Sequence, residues 1–504
     1  MENFRNKVIS GFAWEASARL IVQIASWIST FWVAHILVQE DYGIVGVSGI
    51  FTGLCLQIAG MGLYKALINK KILESYDLAN IFWLSNLLSV VIYLVLYATA
   101  PVIASLYKLP DLELIIRVAG LMVILSSLGL VPHAILMRKL QFRATALISI
   151  GSNFIIIALV LILAHRGWGF WSLIISTVAG EAFTAIAFFV VVRYVPGRPK
   201  QLSSVIPMFS YGSKLLSAGL VSFASNQLAV VIASGYLGIA AVGSYQMAHM
   251  LAAIPMTKIG ELFHKIGFPA FSQIQDDLGR TKSVFLRMHR ILFMITAPMF
   301  AGIALTADLI IPIMLGEKWV TIVGPIRILC VLNIFMVSAQ LIPRVLEGVG
   351  NSTAGLVYQG ILLATGTVSM LIGVQWGLNW MLIGWAITFP IGYIYLLKVL
   401  FSTLNMTFLE FLESIKITLL CTLAMVLVLL LSNDFFYALQ LMEIEMRLPS
   451  WVSSLNKNWE SLFLPMLLVA LLLKMAAGAI TFCLCYLVWA KQHLQELTGL
   501  LRRT

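Results

Sequence analysis

Charge is scarce in this sequence: only 11% of its 504 residues are Asp, Glu, Lys or Arg, against about 25% in soluble domains. With 60% hydrophobic residues and a mean hydropathy of +0.96, that scarcity excludes a soluble enzyme or binding module. Cysteine is scarce too. The five, Cys55, Cys330, Cys421, Cys483 and Cys485, all lie in apolar stretches, so no disulfide framework is implied. Cys483-x-Cys485 has neither the spacing nor the second ligand pair that zinc requires. Strict apolar–polar alternation in segments of about ten residues is missing, which argues against a membrane β-barrel. Flexible linkers are missing as well, apart from one Pro/Gly-rich basic stretch, Arg193 to Lys200.

What the chain does have is apolar runs of about 20 residues from end to end, each long enough to cross roughly 30 Å of hydrocarbon. Backbone polar groups must be satisfied internally there, so the spans are helices. The hydropathy predicts about fourteen, with cores at 11–37, 42–66, 79–106, 114–137, 144–164, 168–192, 209–236, 240–264, 288–315, 319–347, 353–375, 380–401, 413–432 and 462–489. The first is too long for a cleaved leader and is read as a permanent span. The net charge of +11 does not describe a nucleic-acid face. Bases gather in every second connection (Lys65, Lys70 and Lys71; Arg138, Lys139 and Arg143; Arg193, Arg198 and Lys200; Arg280, Lys282 and Arg287), and the intervening connections are poor in them. That is the positive-inside pattern, and it places both termini in the cytoplasm.

The chain also repeats itself. Leu37 and Gly43 return 200 residues later as Leu237 and Gly243. Thr99-Ala100-Pro101 returns as Thr296-Ala297-Pro298, Ile116-Arg117 as Ile326-Arg327, and Leu130-Val131-Pro132-His133 as Leu341-Ile342-Pro343-Arg344. Both copies run in the same membrane direction, as in a parallel-repeat transporter with a central cavity. The expected organisation is an N-lobe at 1–195, a linker at 196–208, a C-lobe at 209–402, and a C-terminal helix pair at 403–504 with an outward polar segment at 433–461. Residues 276–290 are amphipathic and are expected to lie along the cytoplasmic surface before the next span.

Ionisable groups inside spans cost about 2.5–3.5 kcal/mol each on insertion scales and usually face polar cavities, so they are the functional candidates. Glu15 and Arg19 are one turn apart, either as an internal ion pair or with Arg19 facing the cavity. Lys214 occupies the corresponding level of the second copy, or snorkels to the interface. Arg117 and Arg327 are repeat-matched, as are His133 and Arg344, each of the latter directly after a proline. All four either line the cavity or sit at the interface. Glu181 has no partner nearby in sequence and is a candidate for binding a proton or cation, unless it pairs with Arg19 or Lys214. Asp308 is the second such acid. Bases outnumber acids, which suits an anionic head group, and arginine binds phosphate through paired N–H donors.

Several stretches resemble one family. They are Ile9-Ser10-Gly11-Phe12-Ala13-Trp14, Asp41-Tyr42-Gly43, and Val131-Pro132-His133 followed by Arg138-Lys139-Leu140-Gln141-Phe142. To these add Gly243-Ser244-Tyr245, Phe268-Pro269-Ala270-Phe271 running into Ile274-Gln275-Asp276-Asp277, and Leu315-Gly316-Glu317-Lys318-Trp319. Together they look like the Wzx-like polysaccharide transporters of the MOP superfamily, which also contains the multidrug MATE exporters. The resemblance implies two six-helix lobes around a cavity. It also implies movement of an undecaprenyl-pyrophosphate-linked oligosaccharide to the outer leaflet of the bacterial inner membrane for exopolysaccharide, capsule or O-antigen synthesis. It supplies no catalytic residue. Apart from the resemblance, the expected cofactor is none beyond an H⁺ or Na⁺ coupling ion at Glu181 or Asp308, with an uncoupled mechanism as the alternative, and the expected partners are polymerase or export machinery. The rival readings are a MATE-like drug or metabolite antiporter and a membrane polymerase or ligase.

Overall fold

The computed structural model describes residues 21–60, 62–70, 74–200, 206–256, 271–272, 274–351, 353–445 and 459–489. Among them the chain is all helix, a polytopic membrane protein in which ten helices are long and apolar enough to cross a bilayer. The α-helices, in chain order, are α1 (Ile21–Ile36), α2 (Gln39–Gly60), α3 (Leu63–Asn69), α4 (Ser75–Tyr107), α5 (Asp111–Arg138), α6 (Phe142–His165), α7 (Phe170–Val192), α8 (Ile206–Tyr236), α9 (Ile239–Ala252), α10 (Leu278–Leu315), α11 (Val323–Gly348), α12 (Thr353–Gly373), α13 (Leu378–Leu404), α14 (Phe408–Glu445) and α15 (Trp459–Trp489).

Two compact units divide the chain, Met1–Gln246 and Met247–Thr504. In the first, α4 packs on α5, α5 on α7 and α6 on α7; in the second, α10 packs on α11, α11 on α13 and α12 on α13. The same packing order in both is the duplication expressed in space, and it includes the matched in-helix prolines Pro101 with Pro298 and Pro132 with Pro343. Helix α8, the opening helix of the second copy, packs on α2 and α3 in the first unit. The first turns of α2 and α9 cross there with no room for a side chain. A Cβ on Gly43 would strike the Ile239 carbonyl, and one on Gly243 would strike the Gln39 carbonyl. The repeat offset of 200 thus becomes a reciprocal contact between residues it relates.

Three sequence expectations change. The span expected at 42–66 is broken by Gly62, which takes a left-handed conformation at φ 63° and starts α3 as a separate short helix. Residues 276–290 do not form a separate surface helix; from Leu278 they are the first turns of the continuous 38-residue α10. Asp277 caps that helix by accepting the Arg280 N–H at 2.9 Å. Its apolar face packs on protein rather than lipid: Phe285 is buried and stacks on His289, which stacks on Phe411 of α14. Lys282 pairs with Glu410 at 2.5 Å, so the basic face is tied to α14 as well. Of the outward segment 433–461, residues up to Glu445 continue α14 and those from Trp459 belong to α15; the rest lies outside the described residues.

At the opposite end of the first unit the basic residues are structural. One Arg138 nitrogen donates to three carbonyls at the end of α3, Leu67 at 2.7 Å, Ile68 at 3.0 Å and Lys70 at 2.7 Å. These are the orphan acceptors of a helix C-terminus. The linker is pinned too: Lys200 exchanges hydrogen bonds with the Asn80 amide, and Trp83 donates to the Gly197 carbonyl at 2.9 Å. Arg138→Ala is expected to destabilise the first unit by about 2–3 kcal/mol, the worth of charge-assisted hydrogen bonds left unmade. Arg138→Lys is expected to fall between, and thermal unfolding of the purified variants checks the order.

Candidate functional site

Helices α1, α3, α5, α6 and α7 line an open-sided cavity of about 610 Å³ in the first unit, within the 300–1,000 Å³ range of small-molecule sites. Its polar lining comes from α5 (Ser126, His133), α6 (Thr145, Ser149, Asn153) and α7 (Glu181, Thr184). Glu181 is held in register by its neighbour. Gly180 lets α6 approach so closely that a Cβ there would meet Ile156, and buried Ser152 donates to the Gly180 carbonyl at 2.9 Å. His133 is clamped in a three-ring stack, with Tyr64 at 4.9 Å on one side and Phe188 at 4.7 Å on the other. That stack fixes the imidazole beside Pro132 and leaves only its edge for the cavity.

The hydrogen-bond donors of this lining are largely spent on their own helices. Ser126 donates to the Val123 carbonyl at 3.1 Å, Thr145 to Gln141 at 3.4 Å, and Thr184 to Gly180 at 2.8 Å. The Asn153 amide nitrogen donates to the Ser149 carbonyl at 2.9 Å. The three hydroxyls so bonded keep lone pairs free, the Asn153 amide keeps its oxygen and one N–H, and the Glu181 carboxylate adds two more oxygens. Among the described residues Glu181 forms no ion pair or hydrogen bond. A lining of acceptors suits a ligand rich in donors, such as a hydroxylated sugar or a hydrated cation.

The sequence-based candidates separate accordingly. His133 and Glu181 meet in this cavity. Arg117 does not line it; it pairs with Glu113 at 2.6 Å and lies 4.1 Å over the Tyr97 ring. Arg344 pairs with Glu347 at 2.9 Å. Arg327 and Asp308 come together at 3.4 Å in the second unit. Glu15 and Arg19 lie outside the described residues, as does the side chain of Lys214. The expected excess of bases is therefore not a property of the described cavity, whose lining carries one carboxylate, one imidazole and no Lys or Arg. Each described arginine candidate has an acid within reach instead. Sequence reasoning also missed Lys474, buried on α15 at 1% exposure. Its signal was available: it is the sole charged residue between Glu460 and Trp489. Among the described residues no group of three or more His, Cys, Asp or Glu is placed to hold a metal ion.

Residues 32–324, more than half of the chain, match the polysaccharide biosynthesis protein family. The chain belongs to this family. It is 24% identical to the lipopolysaccharide biosynthesis protein WzxC of Escherichia coli, over 66% of this chain and 68% of that one. It is also 24% identical to the teichuronic acid biosynthesis protein TuaB of Bacillus subtilis, over 75% and 78% of the two chains. The fold is that of the lipid II flippase MurJ in an inward closed conformation (TM-score 0.69, 14% identity, 94% of this chain and 100% of that one). A MATE multidrug transporter of the MOP superfamily in its inward-facing conformation shares it less completely, at TM-score 0.58 and 16% identity, over 78% and 98%. This polysaccharide biosynthesis protein thus has the helical architecture of that superfamily, with a polar cavity set among its apolar helices.

Proposed function

We propose that this protein carries a lipid-linked oligosaccharide, an undecaprenyl pyrophosphate bearing a repeat unit, from the cytoplasmic to the outer leaflet of the bacterial inner membrane by alternating access. The observation that carries this reading is the acceptor-rich cavity of the first unit. Polar groups within spans are costly, and this set matches sugar hydroxyls and a cation. It does not match a phosphate. The lipid tail stays in the bilayer while the sugars are sheltered from it. No bond is made or broken, so the protein is a transporter rather than an enzyme, and a polysaccharide polymerase takes up its product. Both termini are cytoplasmic, and the two repeats, 1–195 and 209–402, act as the moving lobes. A proton or Na⁺ at Glu181, or at Asp308, couples movement to the membrane potential.

The pyrophosphate needs bases from elsewhere. Arg19 precedes the cavity-lining Val22 by three residues in sequence and is the proposed anion contact, with Lys214 and Glu15 as its neighbours. Arg19→Ala is expected to reduce export more than Arg19→Lys at equal expression, as a charge contact requires. Equal export by Arg19→Ala and the unaltered protein would move the anion site elsewhere. Reconstituted vesicles separate the rival readings. Drug-stimulated proton flux without lipid movement would favour an antiporter. Loss of polymer formation in vitro on deleting 433–461, with no lipid transfer by the intact protein, would favour a polymerase.

A further inference from the structure

Arg117 and Arg327 are equivalents in the repeat, yet their surroundings differ in charge. Arg117 is neutralised on its own helix by Glu113. The residue that corresponds to Glu113 in the second copy is Val323, so Arg327 has no acid one turn before it. It borrows Asp308 from α10 at 3.4 Å and donates its Nε–H to the Ala304 carbonyl at 3.1 Å. A third charge enters from outside the repeat. Lys474 of α15 is buried, on a helix packed against α10, and lies near enough to Asp308 and Arg327 for the charges of both to act on it. Among the described residues, two cations therefore share one carboxylate within the second unit. Asp308 carries one negative charge against their two positive ones, and its Oδ1, the oxygen 3.4 Å from Arg327, accepts no hydrogen bond.

An uncompensated cation in such a place is costly, and the cluster has an open flank: 48% of the Arg327 side chain is exposed. Its depth is also informative. Arg327 lies four residues into α11 and Asp308 seven residues before the end of α10, or about 6 and 10 Å from those ends at 1.5 Å per residue. In the orientation proposed above, both ends are outward, so the cluster sits at head-group depth in the outer leaflet.

We propose that Arg327 and Lys474 form a phosphate site that receives the pyrophosphate of the translocated lipid on the outer side, with Asp308 holding the two bases in place until the anion arrives. The inference rests on the translocation reading and adds a site that the C-terminal helix pair completes. Arg327 supplies paired N–H donors through its exposed face, and Lys474 adds a second positive charge. Phosphate chemistry has two lipid sources here, the polyprenyl pyrophosphate and bulk phospholipid, and the test distinguishes them.

The full-length protein, purified in detergent, is titrated with undecaprenyl pyrophosphate and separately with phosphatidylglycerol, and affinities are read by native mass spectrometry. Lys474→Met is expected to weaken undecaprenyl pyrophosphate binding about tenfold or more, the worth of one charge-assisted hydrogen bond, while Lys474→Arg retains it. Asp308→Asn is expected to tighten binding, because the competing carboxylate is gone. A brace that merely anchors α15 gives another pattern: Lys474→Met and Asp308→Asn both lower the thermal midpoint and neither changes affinity. That pattern overturns the proposal, as does equal affinity for phosphatidylglycerol. The two readings fail separately. Leaflet transfer with an unaltered Lys474→Met affinity removes this site and leaves translocation standing. Binding as expected with no leaflet transfer by the unaltered protein keeps the phosphate site and removes translocation.

Discussion

Replacing Gly43 or Gly243 with alanine is expected to abolish transport and to lower the thermal midpoint of the purified protein. The added methyl group on either residue meets a backbone carbonyl of the opposing helix, Ile239 or Gln39, at a separation that real Cβ atoms do not adopt. A backbone cannot change rotamer to make room, so α2 and α9 must part at their first turns. Overpacking of this kind costs about 1–3 kcal/mol even where side chains can yield. The two substitutions strain one crossing, so the double variant is expected to cost less than the two single costs added together. Gly49, on the same helix, provides the control. Nothing lies within 4 Å of its hypothetical Cβ, and Gly49→Ala is expected to be neutral or mildly stabilising through helix propensity. Indistinguishable behaviour of Gly43→Ala and Gly49→Ala in unfolding and transport would refute the close crossing.

The second large effect concerns Glu181. A carboxylate with no ion pair among the described residues, facing a cavity of hydroxyl and amide acceptors, is suited to a coupling cation. Each charge carried through 100 mV is worth about 2.3 kcal/mol, or roughly fiftyfold in an equilibrium distribution. Glu181→Gln keeps the shape and loses the charge. In vesicles with an imposed potential, the variant is expected to move its substrate with one cationic charge fewer, changing the accumulation ratio by a factor of that order. A Gln variant that still responds to the potential like the unaltered protein would place coupling elsewhere, with Asp308 the next residue to alter.

Much of the fold is legible in the hydropathy because spans of apolar residues in lipid have few alternatives to helix. The repeat was legible through its rarest residues, the prolines and arginines, and the glycines at 43 and 243 proved to be the ones that touch. Other features were illegible for definable reasons. The amphipathic start of α10 has the same pattern whether it lies on a membrane surface or on α14, and only the partner ring of Phe411 decides. Gly62 sits in an apolar run where a break and a continuous span look alike. The count of bases gives no partner for each of them, because pairing is tertiary. Glu113 lies one turn from Arg117 and could be read from the sequence, whereas Asp308 and Lys474 reach Arg327 from two other helices. The acceptor bias is hidden further, since it depends on which way each hydroxyl donates. Lys474 was visible as a lone lysine in an apolar run, but its partner was not.

The most direct test of translocation is leaflet accessibility in proteoliposomes. The purified protein is reconstituted with a defined undecaprenyl-pyrophosphate-linked oligosaccharide, initially confined to one leaflet, and the glycan appearing on the other side is measured with a membrane-impermeant lectin or glycosidase. The expected result is transfer well above protein-free vesicles, reduced by Arg19→Ala and by Gly43→Ala. Transfer no faster than in protein-free vesicles, from folded protein with an intact cavity, would contradict the account.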